Sequence, residues 1–260
     1  MTGIPRVLSI AGSDSGGGAG IQADLKAFAA CGVHGMTAIT AITAQNTVGV
    51  SAVHQVPPEL IVEQVRQVAD DIGVDAVKIG MLGDVPTIEA VVEALKQIGD
   101  APVVLDPVMV AESGAILLDD AARGALRERL LPLTAVVTPN LAEAEVLAGA
   151  PGAPDELARA IHALGPRAVV VTGGHREDAT DVFFDGERLE EIPGERHEDG
   201  AAHGSGCTHS SALAAYLARG ENPLDAARKA KEVASRAVKR GLRDVGRGAG
   251  PVDVIGLQNL

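Results

Sequence analysis

Short runs of apolar residues alternate along most of the chain with segments whose apolar positions recur every three or four residues. The segment from Ile21 to Ala30 shows the helical pattern, because Ile21, Leu25 and Phe28 fall on one face. The short apolar runs between such segments are typical of buried strands. The predicted strands are Val7–Ile10, Met36–Thr43, Ala52–Val56, Ala76–Ile79, Val103–Leu105, Ala135–Val137 and Ala168–Val171.

The helical segments fit between and after these strands. After Val171 the pattern changes, and Asp181–Ile192, with Asp185-Gly186 at its centre, predicts a β-hairpin. Strands that alternate with helices predict an α/β fold with a mostly parallel sheet and helices on both faces. Since no linker-like stretch or internal repeat interrupts the pattern, residues 1–260 are expected to form one domain. The predicted helices are Ile21–Ala30, Glu59–Ile72, Pro86–Ile98, Gly206–Arg219 and Pro223–Gly241.

Polar residues gather at or just after the carboxyl ends of the predicted strands. Open parallel sheets bind ligands beyond these strand ends. The sequence therefore predicts one shared site at that edge of the sheet. The residues so placed are Asp14, Gln45, Asn46, Lys78, Asp106, Asn140 and Thr172.

Composition narrows the class of protein. The chain has one Tyr, three Phe and no Trp, so it lacks the aromatic platforms on which single-stranded nucleic acid stacks. Its 22 Lys and Arg against 35 Asp and Glu give a net charge of −13, which argues against nucleic-acid or anionic-membrane partners. The two cysteines lie far apart in sequence, and no segment has a membrane-span or signal-peptide layout. We expect a soluble cytoplasmic enzyme.

Two glycine-rich segments are candidates for phosphate chemistry. Ala11–Gly20 lacks the spacing of a P-loop or of a dinucleotide fingerprint, and its many glycines suggest close approach of a small ligand to the backbone. Asp24, one turn into the next helix, is expected to point back over this loop.

In His203–Ser211 a Gly-Ser-Gly turn leads into a helix N-terminus, which exposes unpaired N–H groups as an anion hole. Cys207 in that first turn is expected to be favoured as the thiolate.

Other polar residues have plainer interpretations. His197, His203 and His209 match no zinc spacing, and His175 is expected to stabilise a turn. The cations of the last helix, Lys231 among them, are interspersed with Glu232 and predict a solvated helix face.

Several long motifs closely resemble the hydroxymethylpyrimidine/phosphomethylpyrimidine kinases of thiamine biosynthesis, a family of the ribokinase-like superfamily. The resemblance runs in order over nearly the whole chain, to Gly250-Pro251, and it implies a three-layer sandwich. It also implies two phosphoryl transfers from ATP, first to 4-amino-5-hydroxymethyl-2-methylpyrimidine and then to its monophosphate. The segments that carry it are Ser9–Lys26, Thr43–Val50, Lys78–Leu82, Asp106–Ala111, Thr138–Asn140 with Glu143, and His203–Thr208.

The resemblance also implies roles for single residues. Gln45 is expected to hydrogen-bond the aminopyrimidine, in a pocket shared with Asp24, Gly12, Met81 and Val108. Cys207 is expected to be the base, with Gly204 and Gly206 as the anion hole. Asp106 and Glu143 are expected to hold Mg²⁺, largely through water. The nucleotide and its phosphates are expected to contact Asn140, Glu143, Thr172 and Ser205, and the family is typically dimeric.

The chain departs from the family pattern at three places. Thr172 and Glu112 stand where the family usually has Lys, and Ala201-Ala202 stand where it usually has Asn-Thr. The loss of two cations near the triphosphate predicts weaker nucleotide binding or a replacement cation.

Two alternatives stay open. A pyridoxal kinase would act on a similar hydroxymethyl group, but kinases of that kind that resemble this family carry a second cysteine, and Val108–Ala115 contains none. A catalytically weak pyrimidine sensor would not require the Gly-Ser-Gly-Cys anion hole.

Overall fold

One sheet contains all nine strands of the computed structural model, which describes residues 3–174, 179–197 and 200–259. The strand order is β3-β2-β1-β4-β5-β6-β7-β8-β9. The strands, in chain order from β1 to β9, are Arg6–Asp14, His34–Asn46, Gly49–Gln55, Ala76–Ile79, Val103–Leu105, Val136–Val137, Ala168–Val171, Asp181–Phe184 and Leu189–Ile192.

The centre of the sheet is parallel and its edges are antiparallel. Strands β2, β1, β4, β5, β6 and β7 pair in parallel, and the register places Ser9 beside Lys78. The hairpin partner β3 runs antiparallel to β2, and β8 and β9 extend the other edge as the predicted hairpin. Strands β1 and β2 reach further than the apolar pattern predicted, to Asp14 and Asn46, so both project beyond the sheet centre.

Helices cover both faces of the sheet, as the alternating pattern predicted. One core cluster joins one side of the sheet to α2–α6, and a second joins the other side to α1, α7 and α8. Alternate residues of β1 face opposite clusters, Val7 one and Leu8 the other, as the two-residue period of a strand requires. The helices, from α1 to α8, are Gly20–Ala30, Pro58–Asp71, Val85–Leu95, Asp120–Ala125, Leu141–Ala148, Pro154–His162, Ser205–Ala218 and Pro223–Lys239.

Three of these helices, α4, α5 and α6, were not among the predicted ones. Helix α4 continues as a π-helical turn, Leu126–Leu130, and α5 has only eight residues, so neither repeats the helical period long enough to be recognised. The predicted helix boundaries elsewhere agree within a few residues. His175 lies outside the described residues. Among the described helices none is both long and apolar enough to cross a bilayer.

Candidate active site

A cavity of about 450 Å³ opens at the carboxyl ends of the parallel strands. It gathers residues from six strand ends, from the Gly-rich loop before α1 and from the start of α7. Of the polar strand-end residues only Asn46 lies elsewhere: its Oδ1 accepts hydrogen bonds from Val48 and Gly49 and closes the β2–β3 turn. The predicted site residues that line the cavity are Gly12, Asp14, Gln45, Lys78, Met81, Asp106, Val108, Asn140, Glu143, Thr172, Gly204, Ser205, Gly206 and Cys207.

Asp14 organises the Gly-rich loop between β1 and α1. Its carboxylate accepts hydrogen bonds from the backbone N–H groups of Gly16, Gly18 and Ala19 at 2.7–3.0 Å. His203 Nε2 lies 3.3 Å from its Oδ2. Burial alone would raise the pKa of Asp14, but the hydrogen bonds from His203 and from the loop backbone bring it below its usual value. The carboxylate therefore acts as a fixed negative anchor for the loop.

Two glycines of this loop are required by contacts within the protein, and close approach of a ligand to the loop backbone stays a prediction. A Cβ on Gly18 would overlap the His203 ring, and one on Gly20 would overlap the carbonyl oxygen of Gly12. Gly204 has φ +84° and a Cβ there would overlap the carbonyl oxygen of Gly18. The Gly-rich loop and the turn before α7 thus pack backbone against backbone.

Gly206 is the exception, because it faces open space. The nearest atom to a Cβ built there is Asp106 Oδ2, at 4.0 Å. Ser205 N–H already donates to the Ala202 carbonyl at 2.9 Å. Among the described residues no hydrogen bond uses the N–H of Gly206 or Cys207, and the first N–H groups of a helix have no partner within it. These two amides are therefore the ones available to an anion.

Lys78 is completely buried beneath the cavity floor. Its Nζ lies 2.8 Å from Asp24 Oδ1 and 4.0 Å from Asp106 Oδ2. Burial alone would lower the pKa of Lys78, but the carboxylates of Asp24 and Asp106 beside it raise that pKa above its usual value. The ammonium group is therefore a permanent positive charge under the site.

The side chain of Asp24 lies beneath the cavity and, contrary to the expectation, does not point over the Gly-rich loop. Besides Lys78, its carboxylate accepts hydrogen bonds from Ser211 Oγ at 2.8 Å and Ser9 Oγ at 2.6 Å. Its side chain is fully buried and does not line the cavity. Its expected place in the pyrimidine pocket stays a prediction, and the contacts indicate that it acts through Lys78.

Asp106, directly after β5, and Glu143, in the first turn of α5, form an acidic pair that lines the cavity. Glu143 and Asn140 make a reciprocal capping box, in which each side chain accepts the other's backbone N–H at 3.0 Å. Burial and the neighbouring Asp106 carboxylate raise the pKa of Glu143 to about 8. Burial also raises the pKa of Asp106, although Lys78 and Ser210 oppose the shift.

This pair fits the expected divalent cation. Mg²⁺ is usually held by one or two carboxylates together with water and substrate phosphates. Burial raises the pKa of both carboxyl groups, and a bound cation would favour their ionised forms. Among the described residues no group of three or more His, Cys, Asp or Glu is placed to hold a metal by protein ligands alone.

Cys207 does not have the depressed pKa that its place at a helix N-terminus predicted. Burial raises the pKa of its thiol to about 12, and Asp106 and Asp24 add to the shift while Lys78 opposes it. At neutral pH the ligand-free protein therefore holds a thiol at this position. The helix dipole favours the thiolate, but desolvation and two nearby carboxylates outweigh it.

Lys231 is a cavity residue that the sequence analysis missed, having placed it on a solvated helix face. Its side chain is 12% exposed, and its Nζ lies 2.6 Å from Oδ1 of the buried Asp181. Asp181 also accepts the Gly173 N–H at 2.7 Å, and His209 Nε2 lies 3.4 Å from its Oδ2. Burial would raise the pKa of Asp181, but these partners bring it below its usual value. The signal was present in the sequence, because Ala227 and Ala234 place Lys231 on the apolar face of α8.

Thr172, which stands where the family pattern has Lys, also lines the cavity. A single bridge pairs Thr172 with Asn140, and the Thr172 N–H donates to the Pro139 carbonyl at 2.8 Å. Lys231, Thr172 and Glu112 all line the cavity, so a lysine from α8 is present there although neither Thr172 nor Glu112 supplies a cation.

The chain is similar to known kinases in both sequence and structure. The phosphomethylpyrimidine kinase family model matches residues 14–253. A hydroxymethylpyrimidine/phosphomethylpyrimidine kinase of Rhizobium meliloti is 51% identical over 97% of each chain.

Solved structures agree with the same fold. A pyridoxal kinase of Staphylococcus aureus in complex with ADP superimposes with a TM-score of 0.89, at 34% identity, over 99% of this chain and 95% of that one. A phosphomethylpyrimidine kinase of Clostridium difficile superimposes with a TM-score of 0.80, at 40% identity, over 90% of this chain and 100% of that one. The α/β sandwich predicted from the sequence is confirmed.

Proposed function

This chain belongs to the phosphomethylpyrimidine kinase family, and from that premise we propose that it phosphorylates 4-amino-5-hydroxymethyl-2-methylpyrimidine and then the resulting monophosphate, each time with ATP as donor. One observation supports this most directly. The open amides of Gly206 and Cys207 face the same cavity as Gln45 and the acidic pair Asp106 and Glu143. A hydrogen-bonding amide, an anion hole and a cation site within one cavity are the parts that a small-molecule kinase requires.

The pyrimidine binds at the β2 end of the cavity in this proposal. Gln45 supplies an amide that both donates and accepts hydrogen bonds, which matches a ring nitrogen beside an exocyclic amino group. Met81, Val108 and Gly12 supply the apolar walls, with Met81 Sδ 3.1 Å from the place of a Gly12 Cβ. A larger residue at Gly12 would therefore narrow the pocket.

The phosphates bind between α5 and α7. Asn140, Glu143, Thr172 and Ser205 line this end, and Lys231 is the cation that we assign to the role left by Thr172. Loose phosphoryl transition states are stabilised chiefly by positioning and by fixed positive charge. The N–H groups of Gly206 and Cys207 supply that stabilisation without a mobile side chain, since they are held at the start of α7.

Asp106 and Glu143 are the residues that we assign to Mg²⁺. When bound, the ion neutralises charge on the transferring phosphoryl group. Ser210 Oγ donates to Asp106 Oδ2 at 3.0 Å and holds that carboxylate in place. The ammonium group of Lys78, 4.0 Å from the same oxygen, offsets its negative charge.

Cys207 is the group that we assign to the proton of the substrate hydroxyl. Because the resting group is a thiol, its proton must first pass to bulk water before the thiolate can take the proton of the substrate hydroxyl, and Lys78 is the charge that favours this ionisation. A base that is mostly protonated at rest is compatible with a late proton transfer, since a loose transition state needs little deprotonation of the attacking hydroxyl.

Mass analysis of products tests the proposal. Incubation with ATP, Mg²⁺ and the pyrimidine alcohol should give the monophosphate and then the pyrophosphate, with one ADP formed for each phosphoryl group transferred.

Gln45→Leu should raise the KM for the pyrimidine far more than the KM for ATP, because it leaves polar groups of the ligand unpaired. Equal changes in both KM values, or none, would contradict the assignment of Gln45.

Pyridoxal phosphorylation is the second candidate, because pyridoxal kinases are close structural neighbours. The segment Val108–Ala115, which lines the cavity through Val108, Val110 and Ala111, contains no cysteine. We therefore expect pyridoxal to be at most a side substrate, and a kcat/KM for pyridoxal above that for the pyrimidine alcohol would reverse this order. A sensor without turnover is disfavoured by the open anion hole, and ADP formation would exclude it.

We also propose that residues 1–260 form one domain and that two copies associate as a homodimer in the cytoplasm. The dimer proposal is supported by exposed apolar side chains at the β3 edge of the sheet: Ile42 on β2, Val53 on β3 and Val48 in the turn between them are 44–52% exposed. Sedimentation equilibrium of the wild-type protein and of Val53→Lys tests it, since a charge at this edge should yield monomers.

A further inference from the structure

Thr43 and Gln45 lie two residues apart on β2 and so point to the same side of the sheet. Thr43 is 4% exposed, and its Oγ1 lies 3.1 Å from Gln45 Oε1. The β2–β3 pairing shifts register after Ala44 because Ser51 is an extra residue of β3, so β2 keeps its two-residue alternation and Thr43 and Gln45 both line the cavity. Ser15 fixes the backbone there, since its Oγ donates to the Gln45 carbonyl at 2.7 Å and accepts the Gln45 N–H at 2.8 Å.

The Thr43 hydroxyl has one proton and two acceptors within reach. The Ser13 carbonyl oxygen is 3.0 Å away and Gln45 Oε1 is 3.1 Å away. If the Thr43 hydroxyl donates to Gln45 Oε1, that hydrogen bond fixes the amide oxygen, and the Nε2 group of Gln45 faces a ligand. If the Thr43 hydroxyl donates to the Ser13 carbonyl instead, the Gln45 amide can turn over and donate from Nε2 to Thr43 Oγ1. The amide oxygen of Gln45 then faces the ligand. The direction of one hydroxyl proton therefore decides whether the pocket offers a donor or an acceptor.

We propose that Thr43 is a positioning residue that holds the Gln45 amide oxygen, so that the pocket presents an N–H donor to the ligand and selects an unprotonated ring nitrogen. This inference rests on the proposed function and extends it to the hydrogen-bonding pattern of the substrate. A heteroaromatic alcohol whose ring nitrogen accepts is favoured. Its 4-oxo counterpart carries a proton on the corresponding ring nitrogen and presents the reversed pattern, so it is disfavoured.

The experiment compares kcat/KM for the 4-amino and the 4-oxo pyrimidine alcohols. Thr43→Val keeps the shape of the side chain and removes the hydroxyl, and we expect it to lower the amino-over-oxo ratio by roughly 3- to 10-fold, the effect of one ordinary hydrogen bond. The loss should fall on KM for the amino substrate, with KM for ATP unchanged. Thr43→Ser restores a hydroxyl and should keep the wild-type ratio within about twofold.

Thr134→Val is the matched control, because Thr134 is 1% exposed and its hydroxyl donates to the Leu131 carbonyl, away from the cavity. It should leave the ratio unchanged. Thr43→Ala takes the place of Thr43→Val if the latter does not fold. A wild-type ratio retained by Thr43→Val, or an equal loss in Thr43→Ser or Thr134→Val, overturns the role of Thr43 and leaves the proposed function intact. Failure of the wild-type protein to phosphorylate either pyrimidine overturns both.

Discussion

Removing the charge of Lys78 should destabilise the protein severely. Lys78→Met keeps the length of the side chain but leaves Asp24 as a buried carboxylate whose remaining partners are the hydroxyls of Ser9 and Ser211. Both members of the Lys78–Asp24 pair are 0% exposed and lie 2.8 Å apart, so no water replaces the lost ammonium group. Breaking a pair of this kind costs roughly 3–5 kcal/mol. That is a large share of the roughly 5–15 kcal/mol by which a typical domain is stable.

A double variant separates the charge from the packing. Asp24→Asn combined with Lys78→Met removes both charges, and the Asn amide accepts from one serine hydroxyl and donates its NH2 group to the oxygen of the other, so the double variant should be more stable than Lys78→Met alone. Urea unfolding of the ligand-free protein at neutral pH, followed by circular dichroism, gives the free energies of unfolding. Lys96→Met provides the control, because its pair with Glu93 is exposed and should contribute less than about 1 kcal/mol.

Two outcomes would refute this account of the buried pair. A loss of less than about 1 kcal/mol in Lys78→Met would mean that the carboxylate is not left uncompensated. A double variant whose destabilisation equals the sum of the two single losses would mean that the two side chains do not interact.

Three further expectations concern the site. Cys207→Ala should lower kcat by roughly 10²–10⁴-fold in the kinase assay, the span for general base catalysis, and retention of most of the turnover would assign the catalysis to the amides alone. Gly204→Ala should lower the melting temperature, because its φ is +84° and its Cβ would overlap Gly18, whereas Gly206→Ala should leave the melting temperature unchanged and raise the KM for ATP. Asp181 has a lowered pKa, so its stabilisation is present above its unfolded-state value of about 3.9 and is lost as the pH falls below it. The difference in unfolding free energy between wild type and Asp181→Asn should therefore shrink in acid, and a difference independent of pH would contradict the ion-pair account.

The layered architecture was predictable because its signals are local. A buried strand and an amphipathic helix each leave a period in the sequence, and β4, β5 and β7 agree with the predicted bounds to the residue. The gathering of polar residues was predictable for a related reason, since parallel strands bring their carboxyl ends to one edge of the sheet. Asn46 departed from this rule because β2 runs past the sheet centre into a turn that uses its side chain.

Contacts between distant residues could not be predicted in this way. Lys78 meets Asp24 across 54 positions and Lys231 meets Asp181 across 50, and no local period records which charges become partners. Burial then changed the chemistry that local position had suggested, since the Cys207 pKa rises where a helix N-terminus alone would lower it.

The sequence by itself determined the strands, five of the eight described helices, the edge of the sheet that carries the site and the residue types available there. Only the tertiary structure decided that Gly18, Gly20 and Gly204 serve loop packing while Gly206 stays open to a ligand. It also decided that Lys231 faces the cavity and that Asp24 lies beneath it. The physical reason is that burial and charge pairing depend on which atoms become neighbours, and segments far apart in the chain become neighbours only when the sheet and its two helical layers assemble.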